Sequence, residues 1–454
     1  MKTITLRKQA SSLALAFALA TGTAVMAGAL FPAEAHAQKR KKGKDKDAEA
    51  ESASKPQYSK EFIEAYQPVN TALNAEGADA AALMPQVRAV IPLANSPDEK
   101  LAGGGLVYNA GIKAADRAVQ LEGMQIMLSS GKVPAEQIGQ YNFIAYQLAS
   151  ALNQFGPART YLQGAIDANF TNETIGTEDL QIAMAESYFA NEEFVAGLDY
   201  LGRAIENRKE QGLAVDERWY RRGITIAYQN EIVPQIYDVA TMWIAEFPSQ
   251  TNWRDAINLA RNLNNFESPE MLDLLRLSRR LDALTEKNDY IYYIEAADAR
   301  RLPLEVKEVI EEGYASGAIG RDDTYVAESL SIASGRIASD QADLPALERD
   351  AGAADAGLRT VVAAGNAFLS YGQHSKAVRF FEKALGMPGV DTNEVLTRLG
   401  IAQVGTGDYA AAQATFAKVT GNRMPIARLW AAYADAQGSG TSASAMPSAS
   451  AAGI

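Results

Sequence analysis

Residues 361–384 read VVAAGNAFLSYGQHSKAVRFFEKA, and residues 396–419 read LTRLGIAQVGTGDYAAAQATFAKV. Laid over each other at a shift of 35, they match Gly365 with Gly400 and Gly372 with Gly407. Ala377 falls on Ala412, and Phe381 falls on Phe416. Each copy holds two apolar stretches at helical spacing, split by a glycine turn. Gly365 and Gly400 let the first helix approach a neighbour closely. Gly372 and Gly407 end that helix and turn the chain. Ala377 and Ala412 are small where two helices cross, and Phe381 and Phe416 fill the groove on the same face four residues later. One such pair cannot bury its own apolar face, so pairs of this kind must stack.

Weaker copies run upstream. One is Tyr141, Ile144, Ala145 and Leu148, then Ala158, Leu162 and Ala165. A second is Leu180, Met184, Ala185 and Tyr188, then Phe194, Gly197, Leu201 and Ala204. A third is Trp219, Gly223 and Ile226, then Ile236, Ala240 and Trp243, with Pro248 at its end. Residues 251–285 and 289–318 read as divergent helix pairs, and Pro303 opens a helix where a first-turn proline is tolerated. The pattern resembles the tetratricopeptide repeat (TPR), a helix-turn-helix of about 34 residues. Gln403 departs from it, standing where the first helix normally carries an aromatic.

The resemblance implies an all-α fold, a TPR-like α-solenoid of antiparallel helix pairs. It also implies a groove that binds peptides, protein segments or protein surfaces, and it implies no activity. The groove-lining positions of the family fall on Asn142, Tyr146, Glu186, Tyr220, Ile224, Tyr228, Asn366 and Ser370. Tyrosine and asparagine suit such a role because they join contact area to hydrogen bonding. Of the lysine-asparagine-arginine set with which some members clamp a carboxylate, only Asn366 has a match.

The two ends differ from this body. Lys2, Arg7 and Lys8, the apolar stretch Ser11–Leu30 and the triplet Ala35-His36-Ala37 read as a secretory signal over 1–37, cut after Ala37. That address is the periplasm. The alternative is an uncleaved inner-membrane anchor, because Lys39-Arg40-Lys41-Lys42 follows at once and positive charge resists translocation. Residues 38–56 read as a charged disordered linker, and Lys39–Lys46 could give weak contact with an anionic membrane surface. The expected order continues with an N-terminal helical cap region at 57–137 and TPR-like repeats at 138–318. A helical connector at 319–357 follows, which fits the repeat poorly near 326–350. The C-terminal TPR pair and capping helix take 358–437, and a flexible tail takes 438–454.

Composition narrows the chemistry. The chain has 454 residues, no cysteine and two histidines, which removes thiol chemistry and multi-histidine metal sites. Residues 57–454 carry a net charge of −17, which argues against nucleic acid as a partner. His374 sits in an inter-helix turn and reads as packing, with no G-x-S-x-G elbow in the chain. Glu192-Glu193, Glu311-Glu312 and Asp322-Asp323 read as solvated turns and helix faces rather than glycosidase pairs. Gly103-Gly104-Gly105 lacks the lysine and the strand of a phosphate loop, and reads as a helix start or close helix contact. Arg221-Arg222, Arg279-Arg280 and Arg300-Arg301 either bridge repeats or meet an acidic partner.

The expectation is a non-enzymatic periplasmic scaffold or adaptor without metal or cofactor. It would bind a protein or peptide in the cell envelope and is open to self-association. The alternatives are an envelope glycan- or peptide-processing enzyme on a helical frame, and a membrane-surface tethered protein.

Overall fold

The computed structural model describes residues 56–440, and every regular element among them is helical. The expected secretory signal, the charged linker up to Lys55 and the tail beyond Gly440 lie outside the described residues. The chain divides into two compact units, meeting in sequence between Phe170 and Thr171.

The first unit holds α1 (Lys60–Asn74), α2 (Ala80–Val90), α3 (Pro97–Lys113), α4 (Arg117–Ser129), α5 (Ala135–Ala151) and α6 (Phe155–Asp167). The glycine run lies inside α3, at a close helix contact rather than at a helix start. A Cβ on Gly104 would stand 2.7 Å from the Met127 side chain and 2.9 Å from the Gly123 carbonyl on α4. Glu99 ties the start of α1 to the start of α3. Its buried carboxylate accepts the backbone N–H groups of Ser59, Asn95 and Ser96 at 2.6, 2.9 and 2.7 Å. Burial acts to raise its pKa, but those donors outweigh it and hold the group at about 2 instead of 4.5.

The second unit runs through α7 (Thr177–Ala190), α8 (Phe194–Glu210), α9 (Glu217–Gln229), α10 (Gln235–Glu246), α11 (Gln250–Leu263), α12 (Ser268–Arg280) and α13 (Lys287–Ala297). It continues with α14 (Pro303–Ser316), α15 (Thr324–Gly352), α16 (Leu358–Ser370), α17 (His374–Leu385), α18 (Thr392–Thr406), α19 (Tyr409–Phe416) and α20 (Met424–Gly438). Tight turns join α7 to α8, α9 to α10, α16 to α17 and α18 to α19. Each places one residue at positive φ: Glu192, Glu231, Gly372 and Gly407 in turn. Asp282 does the same between α12 and α13. There the pairing departs from the reading of 251–285 as one pair, because α12 packs more closely on α13 than on α11.

The C-terminal pairs interlock as their sequence implies. A Cβ on Gly365 would lie 2.6 Å from the Phe381 ring, and one on Gly400 would lie 2.4 Å from the Phe416 ring. Each aromatic ring therefore occupies the space a side chain would take. His374 opens α17 and packs its ring in the same way against Gly405 of α18.

Helix α15 crosses the 326–350 region as one element of 29 residues with Pro345 inside it. It does not separate independent arrays. One hydrophobic core joins residues from Ala185 to Ala434, because the chain after α15 returns to the middle of the unit. There α18 packs on α12, and α20 packs on α10, α11 and α12. Both α12 and α18 are enclosed. Leu272–Ser278 are seven consecutive buried residues, and Val395–Val404 are ten. The runs include the charged residues Asp273, Arg276 and Arg398, so this burial needs partners inside the fold.

Asp273 of α12 sits at this junction, fully buried. Its carboxylate accepts Arg276 at 2.9 Å, Arg398 of α18 at 3.2 Å and Arg423 at 2.7 Å, while its carbonyl accepts the Trp430 indole of α20 at 2.8 Å. Arg276 also forms two 2.8 Å hydrogen bonds to Glu305, which accepts Tyr293 as well. Burial pushes the Asp273 pKa up, but the guanidiniums of Arg398, Arg276 and Arg423 overcome it and hold the group below its ordinary value.

Three outcomes are expected. Gly400→Ala should cost about 1–3 kcal/mol in denaturant unfolding, and Phe416→Leu in the same chain should offset some of that loss. Strictly additive losses would remove the ring clash as the cause. Asp273→Asn should cost about 3–5 kcal/mol, since three arginines lose one buried carboxylate at once. A loss under about 1 kcal/mol would show that the junction does not depend on the charge. For Glu99 the folded pKa lies below the unfolded one. Its stabilisation is therefore complete above about 4.5 and is lost as pH falls toward 2. The stability gap between wild type and Glu99→Gln should accordingly narrow between about pH 5 and pH 3, and a constant gap would contradict this.

Candidate functional site

The eight expected groove positions fall into different surroundings. Asn142 and Tyr146 stand on α5 in the first unit. Asn142 donates to the Ile138 carbonyl at 2.9 Å and fills the space over Gly164 of α6. Tyr146 is half-buried, 5.8 Å from the Phe143 ring. The other six lie in the second unit. Glu186 forms two hydrogen bonds with Arg222, at 2.6 and 2.7 Å, a strut from α7 to α9. Ser370 donates to the Ala367 carbonyl at 2.9 Å. Asn366 accepts Arg398 at 3.1 Å and so joins the Asp273 junction.

Tyr220 departs from the expectation outright. It is 0% exposed, packed edge-on against Phe247, and its hydroxyl finds no hydrogen-bond partner among the described residues. Burial, with Glu246 nearby, pushes its pKa up to about 12. The repeat register sets Tyr220 one position from the face expected of it, and the helix turns it into the core.

Ile224 and Tyr228 remain, and the structure brings them together. They line a cavity of about 280 Å³ between α9 and α11. From α9 come Arg221, Ile224, Thr225 and Tyr228. From α11 come Asp255, Asn258, Leu259 and Asn262, with Trp243 of α10 at the base. The α11 set was not anticipated, yet a signal for it exists. Each α11 residue lies 34 positions after one on α9: 221 and 255, 224 and 258, 225 and 259, 228 and 262. Trp219 and Trp253 share that interval, and both are buried. Two helices in equal register therefore present equal faces, side by side.

The groove mixes apolar area with fixed polar groups. Tyr228 is 44% exposed. Arg221 is held by Glu217 at 2.9 Å and lies 4.9 Å over the Trp243 ring. Trp243 donates to the same Glu217 oxygen at 2.9 Å, and this bond leads the effects that lower the pKa of that carboxyl. Asn258 and Asn262 make no hydrogen bond, and Asp255 no ion pair, among the described residues. Such a surface can hold a chain segment by apolar contact, side-chain amides and one carboxylate.

A second cavity, of about 360 Å³, opens beside α15 near Gln341, Pro345 and Tyr371. Its charged groups are paired internally, Lys376 with Glu348 at 2.6 Å and the Tyr371 hydroxyl with Asp340 at 2.8 Å.

Three of the groups weighed for catalysis, His374, Asp323 and Glu312, make contacts between helices. Burial, with Arg280 nearby, lowers the His374 pKa. Asp323 caps α15 and pairs with Lys287 at 2.7 Å. Glu312 bonds Arg279 from α14 to α12. Arg222 and Arg279 thus bridge helices of neighbouring repeats. Among the described residues no cluster of His, Cys, Asp or Glu is suited to hold a metal ion, and no helix is long and apolar enough to cross a membrane.

No family model matches the sequence, and no curated protein matches it. Among solved structures, the chain is similar to one described as Naa15/Naa10 bound to HypK-THB. The identity is 14%, the TM-score is 0.27, and the match covers 81% of this chain and 64% of that one. It is also similar to the P58(IPK) TPR domain, at 13% identity and a TM-score of 0.20, covering 84% of this chain and 99% of that one.

Proposed function

We propose that the protein is a non-enzymatic scaffold that holds a segment of a protein partner in the groove between α9 and α11. The observation that carries this reading is the 34-residue register of the two helices, which repeats one pattern of groove-facing positions across the cavity. Amides that are not bonded within the fold can bond a ligand. Asn258 and Asn262 have no partner among the described residues, and Tyr228 keeps much of its ring in solvent. Surface of this kind suits recognition, where rings supply area and amides supply direction. We propose further that the chain is exported to the periplasm and cut after Ala37. The charged start, apolar stretch and Ala35-His36-Ala37 triplet support that address. A partner of the cell envelope follows from it.

The test places a photo-crosslinking residue at Tyr228, at Asn262 and at the exposed control position Leu213, in cells, with the full chain. The expected result is one discrete adduct from Tyr228 and Asn262 that is absent from Leu213 and lost on Leu259→Lys. Equal adducts from all three positions, or none from the first two, would overturn the groove. Sequencing the mature N-terminus tests the address: Gln38 is expected, and Met1 would refute cleavage.

A further inference from the structure

Resting on the groove reading above, we infer that the segment held between α9 and α11 is extended and basic, with a lysine or arginine that meets Asp255. The argument is one of charge. The arginines around the groove are already neutralised by the chain itself. Arg221 is paired with Glu217, Arg222 with Glu186, Arg254 with Glu286 and Arg261 with Asp289. Asp255 is exposed and makes no ion pair among the described residues. An occupant therefore meets a lone carboxylate and no free guanidinium. An acidic segment would be repelled there, and a basic one attracted.

Backbone spacing fits an extended chain. Asn258 and Asn262 stand four residues apart on one helix, about 6 Å along its axis. Alternate residues of an extended strand repeat every ~6.5 Å. Two unpartnered amides at that interval can bond the main chain at successive repeats. Leu259 lies between them and offers apolar contact, while the Tyr228 ring presents a face that also favours a cation.

The test selects a random nine-residue peptide library, displayed on phage, against the immobilised full chain. The best binder is then synthesised and titrated by fluorescence anisotropy. Lysine or arginine should be enriched at one position of the selected peptides. Asp255→Asn should weaken binding about fivefold, the scale of one exposed ion pair, and Asp255→Lys should weaken it further. Replacing the basic residue of the peptide by glutamine should cost wild type the same factor and cost Asp255→Asn nothing more. Wild-type binding should weaken with salt, and the gap to Asp255→Asn should shrink as it does. Binders abolished by Leu259→Lys, but without basic enrichment and indifferent to Asp255→Asn, would overturn the charge inference and leave the groove standing. Binders indifferent to Leu259→Lys, or no binders at all, would overturn the groove and this inference with it. Circular dichroism of each variant separates lost binding from lost helix.

Discussion

Taking the Asp273 carboxylate out of water costs several kcal/mol, and that cost is offset only while Arg276, Arg398 and Arg423 all reach it. The three come from different places in the chain: the same helix, the first helix of the last pair, and the turn that opens α20. Satisfying one carboxylate therefore fixes where two later elements must lie. The Trp430 indole on the Asp273 carbonyl adds a direction to α20, and apolar packing around Trp253, Phe416, Trp430 and Tyr433 supplies the stability that the ion pairs alone would not. The polar cluster sets the register of an interface that the hydrophobic contacts hold closed.

That junction decides which surface is left for a partner. The first helices of the last two pairs, α16 and α18, carry Asn366, one of the expected groove positions, and Arg398. Both are consumed: Asn366 accepts Arg398, and Arg398 reaches Asp273 and Glu394. The stretch whose sequence most resembles the repeat thus ties Asn366 into contacts with the middle of its own chain. The groove proposed for a partner lies instead between α9 and α11, where Asn258, Asn262 and Asp255 make no hydrogen bond or ion pair among the described residues.

The sequence carried the all-α fold, the helix pairs and the glycine-on-phenylalanine contacts, because these are local and periodic. Pairs upstream were fainter for a physical reason. The turn that the last pairs make with Gly372 and Gly407 is made by Glu192 and Glu231 earlier, and a left-handed glutamate leaves no signature in a sequence. Of the groove, Ile224 and Tyr228 were legible, and Asp255, Asn258, Leu259 and Asn262 would have been by continuing the 34-residue count from α9. Tyr220 was misplaced because adjacent positions on a helix lie about 100° apart, so a shift of one turns a groove residue into core. The junction was not legible at all. Asp273 and Arg398 are 125 residues apart, and no period links them.

The acidic body and its arginines fit one scheme. A stack of helix pairs is held by contacts between neighbours, and here arginines repeatedly supply them at separations near one repeat: Arg208 to Glu178, Arg222 to Glu186, Arg254 to Glu286, Arg276 to Glu305. Each strut removes one positive and one negative charge from what an approaching molecule senses. Where arginines are so occupied, as around the groove, the residual field is set by the carboxylates left over. Asp255 is one of these, and it stands in the groove. The same struts that stiffen the stack therefore leave Asp255 without an ion pair among the described residues, and a basic segment is the complement we propose for it.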